Sequence, residues 1–201
     1  RDRYFLCEVS WQMFVSDQMS LNYRLFPDKL QNLFGSVVQE QKDLDHWHYD
    51  MMGQTLLIRN DEGDYTPAHR SFLEFFVAYK FAAELGILAE DFIEIAQKQS
   101  FIDKTITSQS YSWSSYFMRI LDEVGNVKST PPLKSFIPEN ITRLEQSFGA
   151  KDVSKTILDL MENMLTQDTA KLKQNILAVL HETSGRISEE TSTVGRNSVH
   201  I

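Results

Sequence analysis

Apolar positions recur at helical spacing over most of the chain, whereas one stretch has the pattern of β-strands. Helical spacing predicts a first helix over about residues 3–16 and a second over about 27–40. Gln54 to Arg59 and Asp64 to Thr66 read as two strands, and Asn60 to Gly63 provides the turn between them. Two helices, a hairpin and a further helix together predict a winged-helix domain with a two-stranded wing.

The helix after the hairpin is unusually apolar. Ser71 and Glu74 have the spacing of a capping box, so we expect the helix to begin at Phe72, with His69 in the preceding turn. Gly86 is typical of a residue that ends a helix. Apolar side chains occupy nearly all sides of this helix, which predicts that it is buried between two modules.

The second half of the chain also has a helical pattern. Apolar spacing predicts helices over about 88–98, 113–124, 138–148, 153–164 and 172–180. The last stretch is rich in Ser, Thr, Gly and charge, so it has little to bury. We therefore expect a mainly α fold with three parts: a winged-helix domain over 1–86, an α-helical domain over 87–182, and a poorly ordered polar linker over 183–201 towards a further module.

Composition indicates the cellular compartment in which we expect the protein. Cys7 is the single cysteine among 201 residues, so no intrachain disulfide can form and a reducing compartment is indicated. The sequence has no signal segment and no apolar stretch long enough to cross a bilayer. We expect a cytoplasmic protein without membrane contact, and we expect these residues to be part of a longer chain.

The charge argues against the usual role of a winged helix, which is DNA binding. The chain has a formal net charge of −8, and residues 1–85 contain 13 acidic and 8 basic side chains. Affinity for nucleic acid comes largely from Lys and Arg that displace counterions. The predicted wing has Asp61, Glu62 and Asp64 but only Arg59 as a base. We therefore do not expect nucleic acid as a partner.

No catalytic residues are evident. The sequence lacks the Gly-x-x-x-x-Gly-Lys-Ser/Thr loop that cradles phosphates, so we expect neither an enzyme nor a cofactor within this stretch. A dense set of metal-ligand types is Asp43, Asp45, His46, His48 and Asp50. Structural metal sites need about four rigidly held ligands and often include cysteine. We interpret this set as a solvated acidic loop and expect no metal.

One motif resembles a known family. The matching residues are His69, Ser71, Phe72, Glu74, Phe75 and Ala78, with Arg70 inside the motif and Tyr65 as the aromatic residue of the wing. This pattern resembles the end of the winged-helix domain in the NACHT branch of the signal-transducing STAND NTPases. Pro67 departs from it, because the family usually has an aromatic or aliphatic residue there. A weaker likeness continues at 132–139, 148–149 and 194–197.

The resemblance implies a role for His69, because the corresponding family histidine contacts the β-phosphate of ADP and holds the inactive state. It implies an ATPase in the full-length protein, with ADP or ATP and Mg bound by an upstream NTPase core. The partners would be that core and a C-terminal sensor, with a homo-oligomer forming on activation and a defence role as in bacterial relatives.

Two alternatives stay open. The stretch could be a stand-alone helical adaptor that binds a protein partner and never meets nucleotide. His69 could also simply cap the start of its helix.

Overall fold

A computed structural model describes residues 2–26, 56–89, 91–92, 119–121, 127–129 and 139–201. Over these residues the protein is mainly helical and has a small three-stranded antiparallel sheet. The α-helices are α1 (Asp2–Val15), α2 (Arg70–Glu84), α3 (Glu139–Gln146), α4 (Lys155–Glu162), α5 (Thr169–Thr183) and α6 (Glu189–Val199). The strands are β1 (Leu21–Asn22), β2 (Leu57–Arg59), β3 (Asp64–Pro67), β4 (Arg119–Leu121) and β5 (Val127–Ser129).

Apart from the first three residues, the chain divides into two compact units, Tyr4–Val77 and Ala78–Ile201. The boundary falls inside α2, so a single helix contributes to both units. The sequence placed the boundary at Gly86, which lies within the second unit. None of the helices in the described ranges combines the length and apolar character needed to cross a membrane.

The first unit contains the predicted hairpin and the first predicted helix. β2 and β3 pair antiparallel, with Ile58 opposite Thr66, and β1 adds a third strand on the other side of β3. The predicted hairpin is thus confirmed, whereas β1 was missed. The helix predicted over 27–40 and the metal-ligand types at 43–50 lie outside the described residues.

The turn of the hairpin is organised by Asn60. Its side-chain oxygen accepts hydrogen bonds from the backbone N–H groups of Glu62 (3.0 Å) and Asp64 (2.8 Å). Gly63 has φ +88°, which glycine adopts without a steric penalty. Asn22 of β1 donates to the Asp64 carboxylate at 2.7 Å and so ties β1 to the hairpin.

Burial of α2 agrees with its apolar sequence, since residues 76–88 are all buried. The helix ends in a Schellman motif: Gly86 donates to the carbonyl of Ala83, and Ile87 donates to that of Ala82, each at 3.0 Å. Gly86 has φ +66°, as this type of helix end requires. The predicted C-terminal end of α2 is confirmed.

In the second unit, three helices begin at side-chain caps. Ser154, Asp168 and Ser188 accept hydrogen bonds from backbone N–H groups in the first turns of α4, α5 and α6, respectively. Each cap satisfies a donor that the first helical turn leaves without a partner. The helices predicted near 138–148, 153–164 and 172–180 correspond to α3, α4 and α5.

Two expectations for this unit need correction. The helix predicted over 113–124 is wrong at residues 119–121, where β4 pairs antiparallel with β5, and the remainder of that prediction lies outside the described residues. The polar segment over 183–201 is not a poorly ordered linker within 189–199, because α6 forms there and buries Thr191, Thr193, Val194, Asn197 and Ser198. Its buried hydroxyl groups are satisfied: Thr193 Oγ1 donates to the carbonyl of Glu189 (2.9 Å) and Ser198 Oγ to that of Val194 (2.8 Å), whereas Thr191 Oγ1 donates to Glu145 of α3. Small side chains with satisfied hydroxyls can be buried without an apolar stripe.

Candidate functional site

The candidate site is the first turn of α2, where β3 leads into the helix. Pro67 is the last residue of β3 and pairs with Leu57, and the helix begins at Arg70. His69 therefore occupies the N-cap position. Its carbonyl accepts a hydrogen bond from the N–H of Phe72 at 3.0 Å.

The imidazole of His69 caps the helix. Its Nδ1 accepts a hydrogen bond from the backbone N–H of Ser71 at 3.1 Å, and the Ser71 hydroxyl lies 2.7 Å from the same nitrogen. A side chain at the N-cap commonly satisfies the N–H of the second helical residue in this way. The side chain of His69 thus has a defined orientation although the residue is exposed.

This arrangement corrects the predicted capping box. Ser71 Oγ contacts His69 instead of closing a box, and the Glu74 carboxylate accepts from Arg70 Nε at 3.2 Å. The two expected partners are therefore both used elsewhere. A histidine at the N-cap is compatible with the alternative that sequence analysis left open, in which His69 caps its helix.

The other motif residues fall into two groups. His69, Arg70 and Ser71 are exposed, whereas Tyr65 and Ala78 are buried and Phe72, Glu74 and Phe75 are half-buried. Tyr65 is only 2% exposed, and its ring centroid lies 5.6 Å from that of Phe26. Tyr65 thus belongs to the core beneath the hairpin. The exposed residues His69, Arg70 and Ser71 form what we call the polar edge of the motif. The apolar residues of the motif are buried or half-buried and fix the helix in place.

The polar edge favours anions. The N-terminus of a helix carries a partial positive charge, and its first N–H groups point outward. The Arg70 guanidinium adds a cation, and its side chain is 73% exposed, whereas that of its partner Glu74 is 13% exposed. Because this exposed ion pair is screened by water, it leaves Arg70 able to reach a second anion. Chemically, this edge can hydrogen bond to a phosphate or carboxylate.

The roles of the residues that organise the turn of the hairpin, at the opposite end of β3 from His69, were not predicted from the sequence. Asp64 accepts hydrogen bonds from Asn22 Nδ2 and from Asn60 Nδ2, and these bonds lower the pKa of the Asp64 carboxyl below its ordinary value, Asn22 having the larger effect. Asn60 followed by Gly63 is a turn signal that could have indicated the role of Asn60. No local signal indicated Asn22, because its partner is 42 residues away.

A metal site is not evident in this region. Within the described ranges, no group of three or more His, Cys, Asp or Glu side chains is arranged to hold a metal ion.

Comparison with known proteins gives one informative match. No protein-family profile and no solved structure matches the chain. A protein of Nostoc sp. (strain PCC 7120 / SAG 25.82 / UTEX 2576), described as an uncharacterized WD repeat-containing protein, is 54% identical over 198 residues. The match covers 98% of this chain but only 13% of that protein. The chain is therefore similar to one short part of a much longer relative.

Proposed function

We propose that this stretch is the regulatory part of a cytoplasmic, nucleotide-dependent signalling ATPase of the NACHT type. In this proposal the Tyr4–Val77 unit is a winged-helix domain whose wing is the β2–β3 hairpin. His69 hydrogen bonds to the β-phosphate of ADP on an NTPase core elsewhere in the longer chain, and so stabilises the inactive state. The helical unit relays the state of the core to a C-terminal sensor.

The observation that carries the proposal is the geometry of His69. Its ring is exposed and is held at the start of α2 by two contacts to Ser71, and the next residue is the exposed Arg70. A helix start with an exposed histidine and arginine suits a phosphate oxygen. The surrounding motif, from Tyr65 to Ala78, is the one whose histidine takes this role in the family that the sequence resembles.

The Nostoc relative offers further support. Its 198 aligned residues are 13% of its length, so that protein has about 1,500 residues. WD repeats of roughly 40–45 residues each form propellers that act as interaction surfaces. A chain of that length has room for an NTPase core and a propeller, and the WD repeats in its name fit a sensor that binds a protein.

The test is ADP release from the full-length protein. A hydrogen bond to a charged phosphate contributes roughly 1.5–3 kcal/mol, so His69→Leu should speed ADP dissociation by roughly one to two powers of ten. The control is His181→Leu, because the His181 side chain is 87% exposed on α5. We expect the control to release ADP at the parental rate. Equal dissociation rates for His69→Leu and the parent would refute the contact.

The second candidate function is a helical adaptor that binds a protein and has no nucleotide contact. It is favoured by one observation, namely that the cap which His69 provides to α2 needs no ligand. The two functions differ in a simple respect. The proposed contact of His69 with ADP requires a P-loop and magnesium-binding acids in the full-length protein, and it requires ADP bound to the purified protein. The adaptor function requires neither.

A further inference from the structure

Ser71 contacts a single nitrogen of His69 in two ways. The backbone N–H of Ser71 points at Nδ1 from 3.1 Å, and Ser71 Oγ lies 2.7 Å from the same atom. A backbone N–H can only donate, so Nδ1 must accept and must be unprotonated. In a neutral imidazole the remaining proton is then on Nε2. The contacts with Ser71 thus select one of the two tautomers.

We propose that Ser71 is a positioning residue that selects the Nε2–H tautomer of the neutral His69 ring and fixes the plane of that ring. The ring then presents one N–H donor, on the side opposite Ser71, to an oxygen of an anionic ligand. This inference rests on the proposed function, in which the ligand is the diphosphate of ADP. It adds which ring nitrogen of His69 carries the donated proton and which residue selects that nitrogen.

The hydroxyl group is the part of Ser71 that can be tested. Ser71→Ala retains the backbone N–H and removes Oγ, whereas Ser71→Thr retains both. Both residues are tolerated in the first turn of a helix, where the side chain of Ser71 is exposed. A difference between the two variants therefore reports the loss of the hydroxyl group. Thermal unfolding of each variant checks that α2 still forms.

The first readout is the tautomer itself, in the 201-residue chain without nucleotide. Nitrogen-15 spectra of histidine distinguish a protonated from an unprotonated ring nitrogen, and His69→Gln assigns the His69 signals among the five histidines. At alkaline pH, where imidazoles are neutral, we expect unprotonated Nδ1 and protonated Nε2 in the parent and in Ser71→Thr. In Ser71→Ala the backbone N–H still donates to Nδ1 but the hydroxyl is lost, so we expect signals shifted part of the way towards those of the Nδ1–H tautomer. A parental ring protonated on Nδ1, or a spectrum of Ser71→Ala identical to the parent's, would overturn the inference.

The second readout is ADP release from the full-length protein. A neutral hydrogen bond that orients the donor corresponds to a change of about 2- to 10-fold, so Ser71→Ala should release ADP faster by that factor and Ser71→Thr should not. Parental release by Ser71→Ala would overturn the role of Ser71 in nucleotide retention. If Ser71→Ala changes the tautomer while His69→Leu leaves ADP release unchanged, Ser71 still fixes the ring, and it is the proposed function that fails.

Discussion

The rings of Phe81 and Phe148 stack with their centroids 4.2 Å apart and their planes inclined by 29°. Both residues are fully buried, and Phe148 lies just after α3. The ammonium of Lys80 is 5.7 Å from the centroid of the Phe148 ring and pairs with Glu84 at 3.4 Å. A cation near an aromatic face is attracted to it. Phe148 therefore holds the C-terminal half of α2 through both an apolar and a charged neighbour.

Removal of the Phe148 ring should be among the most damaging single changes in the second unit. Phe148→Ala leaves a cavity beside Phe81, and we expect the free energy of unfolding to fall by about 3–5 kcal/mol in urea denaturation. The control is Ile187→Ala, because Ile187 is 100% exposed. We expect that change to stay within about 0.5 kcal/mol. Similar unfolding curves for the two variants would contradict the described core.

The sequence predicted α2 and the hairpin well because their signals are local. The burial of α2 follows from its composition, its end follows from Gly86, and the hairpin follows from the turn residues between two short runs. The start of α2 was harder to predict. Ser71 and Glu74 have the right spacing for a capping box. In the structure, however, the Ser71 N–H that the Glu74 carboxylate would accept in such a box donates to the imidazole of His69.

Two other elements had no readable signal in the sequence. The residues of β4 belong to a short apolar run that fits a helical stripe as well as a strand, and its partner β5 decides between the two. α6 buries hydroxyl and amide side chains, so its sequence has the composition of a linker. Its packing depends on contacts distant in sequence, such as that of Thr191 with Glu145. The spacing of apolar residues along the chain reveals neither the strand that pairs with β4 nor the distant residues that contact α6.

Gly149 should resist substitution because α6 lies against it. A Cβ atom built on Gly149 would meet the Glu145 carbonyl oxygen of α3 first, and it would also be 2.7 Å from Glu190 Cβ and 2.9 Å from the Glu190 carbonyl oxygen of α6. Backbone is hard to displace, so we expect Gly149→Ala to lower the free energy of unfolding by about 1–3 kcal/mol. At Gly195 the nearest atom is the Thr183 hydroxyl, at 3.0 Å. We expect a smaller cost for Gly195→Ala, and the reverse order in thermal unfolding would argue against the described surroundings of Gly149.

The hairpin should become less stable in acid because of Asp64. Hydrogen bonds from Asn22 and then Asn60 lower the pKa of Asp64 in the folded state. A lowered folded pKa stabilises the fold above the unfolded value of about 3.9, and this contribution is lost as pH falls through the folded pKa. We expect Asn22→Ala to raise the pKa of Asp64 towards its ordinary value in an NMR titration.

The same variant can be followed by unfolding. The stability advantage of the parent over Asn22→Ala should shrink as pH falls below about 3.9. Asn163→Ala is the control, since Asn163 is exposed and donates to the carbonyl of Asp159 on α4. The control should leave the titration of Asp64 unchanged. An unchanged titration in Asn22→Ala would mean that the bond between Asn22 and Asp64 does not persist in solution.

The side-chain amide of Asn197 holds the loop between α3 and α4. Its Nδ2 donates to the carbonyls of Phe148 (3.0 Å) and Lys151 (3.1 Å), and its Oδ1 accepts from the N–H of Val153 (2.9 Å). Asn197→Asp keeps the shape but points a carboxylate oxygen at two carbonyl oxygens. Because the residue is only 3% exposed, we expect a loss of about 3 kcal/mol or more in the free energy of unfolding at neutral pH.

This loss should depend on pH in a defined direction. Burial and the facing carbonyls disfavour the charged form of the new carboxyl, which raises its folded pKa above its unfolded pKa. A protonated carboxyl can donate to one carbonyl again, so the deficit of Asn197→Asp should shrink as pH falls. Asn163→Asp, at the exposed end of α4, should cost less than about 1 kcal/mol at neutral pH. Equal costs for the two substitutions in urea denaturation would show that Asn197 does not clamp the loop.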